Sequence, residues 1–156
     1  MSVSYTNQAL TVQTALFDLL VAEFTEFDVV YEEMFNPEYL TKQKYCRMYL
    51  QEDRQVSKDA NGITREYEFQ VALYFNLEHF QERLDFAIYS DTAERLKQLI
   101  ETYNVHQPSS VYKWHEADVV SIVYPVGLQE IEEIEGFENI RAVYFQVVIT
   151  RSNFWS

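Results

Sequence analysis

The sequence predicts a single α+β domain spanning residues 1–156, with a mostly antiparallel sheet, a long β-hairpin and two or three helices packed on one face of the sheet. Three observations predict this fold class. Apolar residues recur at helical spacing near the N-terminus and again before the last third of the chain. Two central runs alternate between apolar and polar residues at the period of a half-buried strand. Two further strand-like runs follow the second helix.

The first helix is predicted from about Thr6 to Glu23, with Thr6 or Asn7 as its N-cap. Its apolar residues are three and four positions apart, so they share one face, which we expect to pack on the sheet. These residues are Ala9, Val12, Leu16, Leu19 and Leu20. The β-branched run Asp28–Tyr31 follows and is predicted as a short strand that ends before Pro37.

Two alternating runs, Tyr45–Gln55 and Arg65–Asn76, predict a β-hairpin. Their apolar faces are formed by Cys46, Met48 and Leu50 in the first run and by Tyr67, Phe69, Val71, Leu73 and Phe75 in the second. The residues between the runs are charged, and Asn61-Gly62 suits a tight turn because both residues tolerate positive φ angles. The sequence therefore predicts a long hairpin whose tip, about Glu52–Arg65, is solvated.

A second helix is predicted from a cap at Ser90 or Asp91 to about Asn104. Asp91 and Glu94 have the spacing of a capping box. The buried face of this helix is expected to hold Ala93, Leu96, Leu99, Ile100 and Tyr103. The preceding segment, Leu77–Tyr89, is ambiguous: Leu77, Phe80, Leu84 and Ile88 have helical spacing, while Leu84, Phe86 and Ile88 also fit a strand from Leu84 to Tyr89.

The last third predicts two strands, Val111–Tyr124 and Asn139–Arg151. One face of the second strand is expected to hold Val143, Phe145, Val147 and Ile149. The segment between the strands contains no Lys or Arg from Val126 to Ile140 and is a helical turn or an acidic loop. Its carboxylates are Glu130, Glu132, Glu133, Glu135 and Glu138.

Periodicity also predicts which residues form the core. Ten apolar residues are expected to be buried: Leu16, Leu20, Phe69, Val71, Leu73, Leu96, Ile100, Phe145, Val147 and Ile149. Cys46 is the single cysteine, so no intrachain disulfide forms. Its position in a strand-like run predicts a packed core thiol instead of a nucleophile.

The net charge is strongly negative, with 25 acidic and 12 basic residues and a formal charge of −13. This balance argues against binding to a nucleic-acid backbone, where Lys and Arg replace counterions, and against an anionic membrane surface. It favours a soluble protein, a surface that repels or mimics DNA, or divalent-cation binding. The N-terminus has no charged lead into an apolar stretch, so no signal peptide is expected.

Catalytic and ligand-binding motifs are missing from the sequence. There is no GxGxxG, Walker loop or HExxH pattern. His115, Glu116 and Asp118 are close in sequence, but zinc needs three or four ligands in fixed geometry, so a polar surface strand explains them better. Adjacent carboxylates such as Glu132-Glu133 are usually solvated. The sequence therefore predicts no enzyme activity, no cofactor and no metal.

Two charged regions are candidates for contacts with partners. The hairpin tip carries charges of both signs, which suits docking to an identical neighbour, although a solvated turn has the same pattern. The tip residues are Asp53, Arg54, Lys58, Asp59 and Arg65. The segment from Glu130 to Glu138 is either an exposed loop or an acidic surface turned toward DNA or a basic partner.

The order of elements resembles that of the tail terminator (tail completion) proteins of long-tailed bacteriophages. The likeness rests on the opening helix, the Val29-Val30-Tyr31 strand, the Tyr45–Asn76 hairpin, the Ala87–Ser90 stretch with the Asp91–Asn104 helix, and the Ala142–Thr150 strand. It covers nearly the whole chain, and the segment Leu77–Leu84 is extra material. The family has no catalytic motif, so the resemblance assigns no role to any side chain.

The resemblance implies a structural virion protein at the head-proximal end of the tail, assembled in the host cytoplasm. Such proteins form a six-fold ring that caps the tail tube and joins it to the head-side connector. The implied partners are further copies of this chain, the tail tube protein and connector proteins, with DNA passing through and no specific nucleic-acid or membrane binding. A closed ring requires head-to-tail interfaces, which a long hairpin would supply by strand addition.

Three other functions fit the same residues. One is a different tail-tube or head–tail connector subunit. Another is an acidic DNA mimic that inhibits a nucleic-acid enzyme, which requires regularly spaced carboxylates on one face and a small oligomer. The third is a small-molecule binder or enzyme built in a curved sheet, with Tyr67, Phe69 and Phe75 lining a pocket, although a packed core explains these aromatic residues better. Native mass separates a six-fold ring from these alternatives.

Overall fold

A computed structural model describes residues 7–31, 44–76, 86–103, 114–125 and 140–154. These residues form an α+β fold in which both described helices pack on one face of a five-stranded sheet. In chain order, the elements are α1 (Gln8–Glu23), β1 (Asp28–Tyr31), β2 (Lys44–Lys58), β3 (Gly62–Asn76), α2 (Phe86–Glu101), β4 (Glu116–Val123) and β5 (Ile140–Phe154). The predicted fold class is confirmed. Neither described helix is long and apolar enough to cross a membrane.

The sheet has the strand order β1-β2-β3-β5-β4. Strand β1 runs parallel to β2, and the other three pairings are antiparallel. The central strands β3 and β5 pair along their whole fifteen-residue lengths, from Gly62 opposite Phe154 to Asn76 opposite Ile140. The last strand in the sequence therefore lies in the middle of the sheet, and β4 lies at its edge.

Helix α1 begins where the capping pattern predicts. The Asn7 side chain accepts a hydrogen bond from the Leu10 backbone N–H at 3.0 Å, which satisfies one of the free amides of the first turn. Thr6, the alternative cap, lies outside the described residues. The predicted apolar stripe is buried at Val12, Leu16, Leu19 and Leu20.

The hairpin differs from the prediction in the length of its strands. Strand β2 continues to Lys58 and β3 starts at Gly62, so the bounds predicted for the tip, Glu52 to Arg65, are wrong. The prediction that this end of the hairpin is solvated is confirmed for residues 55–61, which are exposed. The connection is residues 59–61, where the Asp59 carboxylate accepts hydrogen bonds from the Asn61 and Gly62 amides at 2.7 and 3.1 Å. The charged residues remain in strands because β3 pairs with β2 on one side and with β5 on the other. The ladder therefore continues past these residues, with two register shifts in β2.

Helix α2 begins at Phe86, so the cap predicted at Ser90 or Asp91 is wrong. The Ser90 hydroxyl donates to the Ala87 carbonyl at 3.2 Å, a bond that points backward within the helix and does not cap a following amide. The ambiguous segment is helical from Phe86 to Tyr89, and residues 77–85 lie outside the described residues.

The predicted core is confirmed. All ten residues predicted to be buried are inaccessible to solvent, and they form one cluster between the helices and the sheet. Cys46 lies in the same cluster, where burial raises the pKa of its thiol to about 12. A smaller cluster lies on the opposite face of the sheet and contains Tyr45, Ala72, Tyr74, Ile140 and Ala142. In that cluster the rings of Tyr45 and Tyr74 stack at a centroid distance of 4.5 Å.

Candidate assembly surface

Arg54 of the predicted assembly surface lies at the centre of an ion-pair network within the chain. Its guanidinium contacts Glu66 at 2.8 Å, Glu52 at 3.2 Å and Glu68 at 3.4 Å. The two Glu residues of β3 come within reach because Arg54 pairs with Glu66 across the β2–β3 ladder and Glu52 pairs with Glu68. The hydrogen bond with Glu66 is the largest of the causes that raise the pKa of Arg54.

Asp53 and Arg65 form a second pair, on the helix-facing side of the same two strands. Arg65 Nε donates to Asp53 at 3.0 Å, and this hydrogen bond is the largest cause that raises the pKa of Arg65. The guanidinium of Arg65 also lies 5.1 Å from the centre of the Tyr67 ring. The mixed charges that suggested docking to a neighbour therefore stabilise the hairpin within one chain.

The two remaining tip residues have different environments. The Asp59 carboxylate closes the turn, as described above, and its position is therefore set by the hairpin. Lys58 is exposed, and within the described part of the chain it forms no ion pair. Of the five residues predicted at this surface, Lys58 is the cation available to a partner.

A carboxylate-rich surface, which sequence reasoning missed, lies on the sheet face away from the helices, next to the smaller apolar cluster of that face. Its members come from three strands: Glu52 of β2, Glu66 and Glu68 of β3, and Glu116 and Asp118 of β4. Strand β5 lies between β3 and β4. Its Val148 pairs with Glu68 on one side and Asp118 on the other, and its Thr150 pairs with Glu66 and Glu116. We call these five carboxylates the acidic sheet face. Arg54 is the cation among them.

Repulsion between carboxylates is evident at the β4 side of the acidic sheet face. The negative charge of Asp118 is the largest cause that raises the pKa of Glu116. A hydrogen bond with Asp118, burial and the charge of Glu66 raise this pKa further. Each pair of carboxylates has i, i+2 spacing in its strand, which is the signal that could have identified the surface. The strand order could not be read from that spacing. The acidic segment that was predicted, Glu130–Glu138, lies outside the described residues.

Metal-binding geometry is absent from the described residues, where no group of three or more His, Cys, Asp or Glu side chains is arranged to hold an ion. His115 accepts a hydrogen bond at Nδ1 from the Ser152 backbone amide at 3.2 Å. This contact ties the start of β4 to β5. The acidic sheet face is therefore a charged surface in which no three carboxylates are arranged to hold an ion.

The comparisons with known proteins bear on the fold. No protein-family model matches the chain, and no curated protein matches it. One solved structure aligns over 98% of this chain and 99% of its own length, with a TM-score of 0.52 and 15% sequence identity. Its name describes no activity. At this identity the likeness shows a shared fold over nearly the whole length of both chains.

We predict that Arg54→Met lowers the melting temperature by a few degrees at neutral pH, because Glu52, Glu66 and Glu68 then repel one another without a shared cation. Thermal unfolding at pH 7 and at about pH 3 measures the effect. The difference from wild type should shrink at the lower pH, where carboxyl groups are largely protonated.

Lys58→Met is the matched control for Arg54→Met. It removes the same charge from the same strand, and Lys58 forms no ion pair within the described residues. Measured on dissociated subunits, where no contact between copies contributes, its melting temperature should equal that of wild type. Equal effects of the two substitutions would contradict a network centred on Arg54.

Proposed function

We propose that this chain is a structural virion subunit without enzyme activity, which forms the ring that caps a phage tail tube and joins it to the head-side connector. The order of helix, strand, hairpin, helix and closing strands supports this proposal, since it matches the order of elements in tail terminator proteins. The partners would be five further copies of the chain, the tail tube protein and connector proteins.

The observation that carries the proposal is the acidic sheet face. Five carboxylates from three strands lie on one face of the sheet together with the Arg54 guanidinium. Glu52, Glu116 and Asp118 are exposed, whereas Glu66 is half-buried and Glu68 is buried. DNA phosphates are repelled by such a surface, so a ring lumen lined with it would let DNA pass without binding it. A net charge of −13 for each chain acts in the same direction.

Sheet topology supports ring formation as well. The outer strands are β1 with the exposed part of β2 on one side and β4 on the other, and they differ in sequence and in neighbours. Two unlike edges suit the head-to-tail interfaces from which closed rings are built.

Native mass tests the proposal. Six chains of 18.6 kDa make a ring of about 112 kDa. We expect sedimentation equilibrium of the purified protein to give this mass at micromolar concentrations, and electron microscopy to show six-fold rings with a central opening. Duplex DNA should not be retarded by the ring in a gel. A monomer or dimer at every concentration would contradict the proposal.

The acidic sheet face also favours a second function, a DNA mimic that inhibits a nucleic-acid enzyme. Its carboxylates lie on one face of the sheet at i, i+2 spacing within β3 and within β4, with β5 between these strands, and a mimic of a phosphate backbone requires such regular spacing. The same measurement separates the two functions, because a mimic acts as a monomer or small oligomer. Inhibition of a DNA-binding enzyme by that species would support the mimic.

A further inference from the structure

Within the described residues, the outer edge of β2 has a strand partner along its first half alone. Strand β1 pairs with β2 only as far as Met48, and the Tyr31 hydroxyl then accepts a hydrogen bond from the Leu50 amide at 3.3 Å. From Gln51 to Lys58, none of the described residues pairs with this edge, which we call the β2 edge. Two register shifts interrupt it, between Leu50 and Glu52 and between Gln55 and Ser57. Such bulges discourage the addition of another strand, which leaves the side chains for contact.

The outer edge of β4 is closed to strand addition in a different way. The Val119 amide, which a neighbouring strand would need, donates to the Glu101 carboxylate of α2 at 3.0 Å. Lys97 holds that carboxylate at 2.7 Å. The exposed side chains of this edge are Glu116, Asp118, Val120 and Val123, and we call them the β4 edge.

Lys58, at the end of the β2 edge, is complementary in charge to the carboxylates of the β4 edge, and both edges expose valine. Lys58 forms no ion pair with the described residues. Glu116 lies beside Asp118, and neither carboxylate forms a salt bridge with a cation of the described residues. Each edge also exposes valine: Val56 is 54% exposed, Val120 56% and Val123 52%. A cation that faces carboxylates across an interface steers two surfaces together and fixes their register, and the valines add apolar contact area.

We propose that the β2 edge of one subunit docks through its side chains on the β4 edge of a second copy of this chain. Lys58 then contacts Glu116 and Asp118 at the β4 side of the acidic sheet face, which leaves the carboxylates of β2 and β3 to face the lumen, and Val56 packs near Val120. The two edges lie on opposite sides of the sheet, so the contact is head-to-tail and repeats until a ring closes. This inference rests on the proposed function, and it replaces strand addition with side-chain contacts.

Charge reversal at the two edges tests the contact. Lys58→Glu and Glu116→Lys should each raise the concentration at which rings dissociate by about tenfold or more, because like charges then meet at every interface. An equimolar mixture of the two variants should recover rings, since each junction in an alternating ring again joins opposite charges. Sedimentation equilibrium on dilution measures all three samples. Glu23→Lys, on the exposed end of α1, is the control for Glu116→Lys and should assemble as wild type.

The other outcomes are distinct. If both variants keep the ring and dissociate at the wild-type concentration, the ring uses other surfaces and the inference is wrong while the proposed function stands. If the variants lose the ring and their mixture does not recover it, the two residues do not meet, which also overturns the inference. If wild type never forms a ring, the proposed function itself fails. Far-UV circular dichroism and melting temperature confirm that each variant is folded.

Discussion

Phe69→Ala is expected to lower the free energy of unfolding by about 3–5 kcal/mol. Phe69 is fully buried in the middle strand of the sheet, opposite Leu50 of β2 and Val147 of β5. Truncating the ring removes its apolar burial and leaves a cavity that strands paired on both sides cannot close. Urea denaturation followed by fluorescence or circular dichroism measures the loss.

Gln70→Ala is the matched control, one residue along β3 and on the opposite face of the sheet. Gln70 is half-buried and its amide donates to Gln51, so its replacement should cost no more than about 1 kcal/mol. If Phe69→Ala cost less than about 1 kcal/mol, the strand register would be displaced by one residue, because such a slip moves every core side chain to the other face.

Cys46 is expected to resist thiol reagents in the native protein. Burial raises the pKa of its thiol from 9.0 to about 12, so at a given pH below 9 the reactive thiolate is about a thousandfold less abundant than in an exposed thiol. Its complete burial excludes the reagent as well. Labelling with a chromogenic disulfide at pH 8 should therefore proceed only as fast as the protein opens.

Val56→Cys gives the matched control for Cys46, because Val56 is exposed on β2. In dissociated subunits, the variant should show one fast and one slow thiol, and urea should make both fast. Fast labelling of Cys46 in the native wild type would mean that the core around it opens readily. It would contradict the prediction that Cys46 is a packed core thiol and not a nucleophile.

The hairpin contributes both to the stability of one subunit and to the contact between subunits in the proposed ring. Arg54 and Arg65 are held by carboxylates of their own chain, so they contribute to the stability of the hairpin arm. The arm is therefore a strand pair braced on both faces and not a loop that orders on docking. This leaves Lys58 and Val56, near the end of β2, as the residues through which the arm can contact a neighbour.

Local patterns in the sequence determined the elements whose burial is one-sided. In β3, every second residue from Tyr67 to Phe75 is apolar and is buried against the helices, so alternation alone identified the strand and its inner face. The same reasoning identified the apolar faces of α1 and β5. The Asn7 cap was predictable because an asparagine side chain satisfies a free amide within its own turn.

Only the tertiary structure decided where the charged elements end and which charges meet. Residues 52–58 have no apolar alternation, so they look like a solvated tip, yet pairing through β3 to β5 extends β2 to Lys58. The acidic sheet face likewise depends on β5 lying between β3 and β4, since that order brings Glu116 and Asp118 into the same rows as Glu66 and Glu68. Strand pairing joins residues far apart in the chain, and its free energy comes from contacts that no local pattern contains.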